Sequence, residues 1–165
     1  MPKNNGNQPN CSLLPISAKV EYALLALMEL VDAYNLKETL TISTIASRQP
    51  IPERYLEHVF TLLRRGGIVQ SQRGAKGGYI LSSEPWKTTV LEVLNLMEGT
   101  SRDNLLSRSS TPSENGLQRS IERDLIDAVF QQASEASCNV LHQYTLQDLK
   151  DKRDSSKQKN LMYYI

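Results

Sequence analysis

Apolar residues recur at helical spacing in Val20, Leu24, Leu27, Met28 and Val31, which predicts a helix with one buried face continuing toward Tyr34. Ser17 stands before it as an N-cap. A shorter set, Ile42, Ile45 and Ala46, predicts a second helix around Ser43 to Arg48. Pro50 closes it, because proline disfavours helical geometry in the residue before it. Pro52 opens the next helix, where a missing N–H costs little. Leu56, Val59, Phe60 and Leu63 mark its buried stripe and Gly66-Gly67 its end. Helix, tight turn, helix is the order of a helix-turn-helix.

Ile68-Val69-Gln70-Ser71-Gln72-Arg73 reads as a strand, broken at Gly74-Ala75-Lys76-Gly77-Gly78 and resumed at Tyr79-Ile80-Leu81. A hairpin directly after the second helix of such a motif is a wing. Thr89 to Met97 carries Val90, Val93, Leu94 and Met97 on one helical face, with Gly99 as a stop. Residues 100–116 hold few apolar anchors and are expected to form a mobile loop. Leu117, Ile121, Leu125, Ala128, Ala133, Ala136 and Val140 then form the apolar seam of a long helix with little neighbouring sequence to cover it. Two such seams can bury each other in a homodimer; the alternative is a helix folded back over its own domain. Thr145-Leu146-Gln147-Asp148 is a capping-box variant opening a short last helix.

The fold class expected is mainly α with a small β-hairpin wing, a winged helix-turn-helix plus a long dimerisation helix. Its parts are a disordered arm at 1–15 and the winged helix-turn-helix DNA-binding domain at 16–86. The linking helix, mobile loop, dimerisation helix and short final helix follow at 87–153, then a C-terminal tail at 154–165.

A hydrophobic fraction of 39% and a charged fraction of 22% describe an ordinary globular chain. The net charge of +1 does not announce a nucleic-acid partner, so that argument is local. Between Glu53 and Tyr79, Arg54, Arg64, Arg65, Arg73 and Lys76 outnumber Glu53 and Glu57, an excess that a dimer doubles. Arg54, Glu57, His58, Thr61 and Arg64 fall roughly opposite the buried stripe of their helix. Arg and His can donate to guanine in a major groove, and Glu can accept from the cytosine amino group. A surface helix has a charged, solvated face in any case, and glycine-rich hairpins often serve only to turn. Arg73 and Lys76 among glycines add a basic tip able to approach phosphates or a minor groove. The two features together are far more specific than either alone.

Ile16-Ser17-Ala18-Lys19-Val20-Glu21-Tyr22-Ala23-Leu24, Tyr55-Leu56-Glu57, and Ser71-Gln72-Arg73-Gly74-Ala75-Lys76-Gly77-Gly78-Tyr79-Ile80-Leu81 resemble the Rrf2 family of bacterial regulators. Thr89-Val90-Leu91-Glu92-Val93 and Tyr144-Thr145-Leu146-Gln147-Asp148-Leu149 resemble its later segments. The resemblance implies a winged helix domain, a long dimerisation helix and binding to imperfect inverted repeats in double-stranded DNA. It puts Tyr55 and Glu57 on the recognition helix and Arg73 on the wing. Glu57 would select bases, Arg73 would probe the minor groove, and Tyr55 would pack with its hydroxyl toward a phosphate. For Glu57 the alternative is a salt bridge to Arg54 or Arg64 on its own helix.

Many members are similar in carrying three cysteines, between the fourth helix and the dimer helix, that ligate an iron–sulfur cluster. Thr100 to Gly116 contains neither cysteine nor histidine, so no cofactor is expected and no metal ligand is assigned. A cluster here would need unconventional ligands such as Asp103, Glu114, Glu21 or Cys11. Some members sense through a bound protein or small molecule, which makes an unidentified effector of either kind a candidate partner. The alternative function is a winged-helix protein-interaction module, with 100–116 and Tyr163-Tyr164 as available surfaces.

Cys11 and Cys138 lie far apart and form no disulfide framework or zinc spacing; a buried or interfacial thiol is the simpler account of Cys138. His58 and His142 fall on different predicted helices with no nucleophile placed beside them, and Gly74 to Gly78 lacks phosphate-loop spacing. No enzyme is expected. No apolar run approaches the roughly 20 residues of a membrane span, and Met1 to Asn10 lacks the apolar core of a signal peptide. The expected location is the cytoplasm, away from membranes.

Overall fold

Ser17 caps the first helix, α1 (Ala18–Leu36), its side chain accepting the Val20 N–H. The computed structural model describes residues 16–74, 77–99 and 120–162. The expected arm at 1–15, Lys76, the loop 100–116, Leu117 and Tyr163-Tyr164 lie outside the described residues. After α1 come α2 (Ile42–Arg48), α3 (Glu53–Arg65), β1 (Val69–Gln72), β2 (Gly78–Leu81) and a 3-10 turn (Pro85–Lys87). α4 (Val90–Glu98), α5 (Ile121–Gln143) and α6 (Leu146–Met162) follow.

α1 is buried on more than the single face its spacing predicts. Val20, Ala23, Ala26, Leu27, Leu30, Val31 and Ala33 are buried, while Leu24 and Met28 are half-buried. The cause is its place in the middle, against α3, α4, α6 and β2. Three alanines let those neighbours come close. The predicted stripes of α3 (Leu56, Val59, Phe60, Leu63) and α4 (Val90, Val93, Leu94, Met97) are buried as well.

Gly67, with φ of +74°, reverses the chain after α3 in a left-handed conformation that other residues rarely adopt. The hairpin follows, Val69 opposite Leu81 and Ser71 opposite Tyr79. Leu40 adds a further rung to β2: its N–H donates to the Tyr79 carbonyl at 3.1 Å, and the Tyr79 N–H donates back at 2.7 Å. A Cβ on Gly78 would sit 2.7 Å from the Leu40 carbonyl oxygen, so only glycine lets the wing dock this closely. The Phe60 and Tyr79 rings, centroids 4.4 Å apart, join α3 to the wing.

Thr89 and Glu92 form a complete capping box at the start of α4. Thr145 and Asp148 repeat the device before α6, the Thr145 N–H and hydroxyl both donating to the carboxylate. The two starts are stitched together: the Val90 N–H donates to the Tyr144 carbonyl at 2.8 Å and the Leu146 N–H to the Thr88 carbonyl at 3.0 Å. Leu146 is fully buried in the same core as α1, α3 and α4. The division expected at residue 86 therefore crosses one continuous core, because α4 and the start of α6 complete the winged helix.

The last helix is not short. It runs to Met162, through much of the stretch expected as a tail. Its sequence is too polar to show an apolar stripe, and charged or amide pairs one turn apart support it instead. Gln147 donates to Asp151, and Lys150 to Asp154 at 2.9 Å. Arg153 grips Asp32 of α1 through two bonds of 2.8 Å, fastening α6 across the central helix. Lys150 and Arg153 hold the Asp154 carboxyl below its ordinary range through hydrogen bonds.

Candidate nucleic-acid interface

α3 owes its two faces to where its leucines fall. With Leu56, Val59, Phe60 and Leu63 turned inward, the 3.6-residue repeat carries Arg54, Glu57, His58, Thr61, Arg64 and Arg65 to the other side. All six are exposed. Tyr55 sits at the margin of that arc, 61% exposed, with its ring against Tyr22 of α1 at 6.1 Å and an interplanar angle of 64°. The Thr61 hydroxyl donates to the Glu57 carbonyl at 2.8 Å, a back-bond that leaves its oxygen free to accept. Among the described residues, no ion pair joins Glu57 to Arg54 or Arg64; the ion pairs formed lie elsewhere. The same-helix salt bridge that would have explained Glu57 is not made.

Arg73 is exposed where β1 gives way to the hairpin tip. The wing and α3 share one core, through Val69, Leu81 and the Phe60–Tyr79 contact, so Arg73 and the polar arc are held by common packing.

The turn between α2 and α3 carries a contact that spacing did not reveal. Glu29, buried on α1, accepts from Gln49 Nε2 at 2.6 Å and from Arg48 Nη1 at 3.3 Å. The only sequence signal was a lone charge inside the apolar run Leu27-Met28-Glu29-Leu30-Val31.

α5 packs on α4, yet none of its residues is buried. Of the expected seam, Ile121, Leu125, Ala128, Ala136 and Val140 are exposed and Ala133 is half-buried. Three large side chains outside that seam, Ile126, Val129 and Phe130, are 57%, 65% and 63% exposed. The bare apolar surface is thus wider than a single seam. Cys138 is half-buried on this helix.

This architecture, a helix-turn-helix with a docked hairpin and a long helix bearing an exposed apolar surface, coincides with a sequence match over residues 16–152 to a family described as "Rrf2: Iron-dependent Transcriptional regulator". The chain belongs to the Rrf2 family. It is 32% identical to the HTH-type transcriptional regulator CymR of Bacillus subtilis (strain 168), over 92% of this chain and 100% of that one. Among solved structures, T. potens IscR superposes with a TM-score of 0.69 at 28% identity, covering 87% of this chain and 90% of the other. The structure titled "CymR (YrzC) the Global Cysteine Regulator of B. subtilis" superposes at 0.62 with 30% identity, covering 84% and 98%. The winged-helix fold and DNA-binding transcriptional regulation follow for this Rrf2 protein. Its relatives are regulators rather than enzymes.

The family description names iron, and the sequence between Thr100 and Gly116 lacks the three cysteines that would ligate a cluster there. Among the described residues, no three His, Cys, Asp or Glu side chains are grouped closely enough to hold a metal ion. The stretch 100–119 contributes Asp103 and Glu114 to the sequence but no cysteine or histidine. No described helix is long and apolar enough to cross a membrane.

Proposed function

We propose that this Rrf2 protein acts as a homodimer that binds an inverted-repeat operator, with α3 in the major groove and the wing beside the adjacent minor groove. The observation that carries this reading is the exposed polar arc of α3, whose helix shares its packing with the wing that bears Arg73. Arg54, His58 and Arg64 donate to bases or phosphates, Glu57 accepts from a base amino group, and Thr61 and Tyr55 contribute hydroxyls. Arg65, Arg73 and Lys76 meet phosphates and the minor groove. Residues 16–99 together with the start of α6 form the DNA-binding unit, and α5 is the dimerisation arm. Two recognition helices about 34 Å apart read half-sites one helical turn apart.

Selection of bound duplexes from a random pool tests the reading, and enrichment of an inverted repeat is the expected result. On that duplex Arg73→Ala is expected to weaken binding about tenfold, within the range of a well-placed basic contact. Sequence preference should relax only where the wing falls. Equal affinity of Arg73→Ala and the parent, measured by fluorescence anisotropy, removes Arg73 from the interface.

The signal does not pass through a three-cysteine cluster in this reading; it arrives through a protein or small molecule still to be identified. Iron and acid-labile sulfide assays on protein purified without oxygen are expected to find neither in stoichiometric amount. A stoichiometric cluster would return the search to carboxylate ligands.

A further inference from the structure

Glu29 occupies the buried middle of α1, where a carboxylate persists only with partners. Its partners are the last two side chains before the helix-turn-helix turn, Arg48 and Gln49. Tyr22, seven residues earlier and so on nearly the same face of α1, touches Tyr55 in the first turn of α3. One face of α1 therefore meets both sides of the turn: the end of α2 through Glu29 and the start of α3 through Tyr22.

Arg48 is the part of this arrangement that reaches outward. Its side chain is 50% exposed against 11% for Glu29. A guanidinium has five N–H donors, and among the described residues only one of them is bonded, to Glu29. In a helix-turn-helix the first helix crosses the phosphate backbone. Arg48 is the only cation on α2. A half-exposed ion pair adds little to stability, so what Glu29 contributes is direction: it holds the guanidinium by one edge and leaves the other edge outward.

We propose that Glu29 is a positioning residue for DNA binding, fixing the turn through Gln49 and aiming Arg48 at a backbone phosphate beside the half-site. The proposal rests on DNA binding by α3 and the wing, and the full chain with its selected duplex tests the two separately. Affinity is measured across a salt series for the parent, Arg48→Ala, Glu29→Gln and the double variant, with the thermal midpoint of each recorded alongside. Arg48→Ala is expected to weaken binding about tenfold and to flatten the slope of log affinity against log salt by about 0.9 per protomer. Glu29→Gln keeps an acceptor for Gln49 while releasing Arg48, and is expected to show the same flattening. Added to Arg48→Ala, it should change little further, because the two side chains act as one unit. Glu29→Asp, which keeps the charge, should recover part of the slope.

An unaltered salt slope in Arg48→Ala overturns the phosphate contact. A loss in Glu29→Gln that persists in full on the Arg48→Ala background, or that only tracks the thermal midpoint, overturns the positioning role. Failure of the parent chain to bind any duplex overturns the DNA reading and this proposal with it.

Discussion

A chain carrying Leu125→Asp and Val129→Asp is expected to sediment as a monomer at micromolar concentration and to lose at least about a hundredfold in affinity for a palindromic duplex. Both side chains stand one turn apart on α5 and are 63% and 65% exposed in the single chain. Ile121, Ile126, Phe130 and Val140 extend the same bare surface. Covering side chains of this size is worth roughly 1.5–3 kcal/mol each when complete. Several from each protomer can therefore outweigh the roughly 4–15 kcal/mol that association costs. Two aspartates per protomer place unpaired carboxylates in that patch and remove the gain. Affinity then falls because each half-site is held by one winged helix with nothing to raise the effective concentration of the second. Since neither position contributes to the core of a single chain, the winged helix itself should melt almost unchanged. A persistent dimer in sedimentation would place the interface elsewhere and leave the α5 surface unexplained.

Phe60→Ala is expected to lower the unfolding free energy by about 3–5 kcal/mol, as loss of a fully buried aromatic generally does. Against the roughly 5–15 kcal/mol available to a whole domain, that is a large share. Phe60 of α3 is fully buried in the core, and its ring meets Tyr79 of the wing. Its removal therefore opens a cavity and also loosens the wing from α3. Phe60→Leu retains most of the volume and is expected to give up well under half as much. Urea unfolding of both variants, with anisotropy on the folded fraction, separates lost stability from lost wing placement. A change below about 1 kcal/mol in Phe60→Ala would mean that the surroundings collapse onto the vacancy.

The winged helix was legible because each of its parts states its own burial. Leu56, Val59, Phe60 and Leu63 repeat at helical spacing, prolines and glycines mark the turns, and Tyr79-Ile80-Leu81 completes the hairpin. What stayed hidden depends on neighbours distant in sequence. α1 reads as one-faced because its alanines carry little hydrophobic signal, yet four elements cover it. α6 reads as a short helix and a tail because its support comes from Lys150, Asp154 and the Arg153–Asp32 grip, none of which has an apolar period. The seam expected on α5 passes through alanines at 128, 133 and 136, while Ile126, Val129 and Phe130 fall outside a single stripe. In the candidate interface, the polar arc followed from spacing, whereas Glu29 required knowing which buried side chain faces the turn.

Leu146 also bears on how the molecule is made. It shares a core with Val20, Leu27 and Phe60, so that core cannot close while α5 and the first turn of α6 are still untranslated. A nascent chain halted within α5 would carry α3 and the wing but lack Leu146 from the core they share. Messages cut short in that region would therefore yield poorly folded fragments, open to proteolysis, rather than partly active ones.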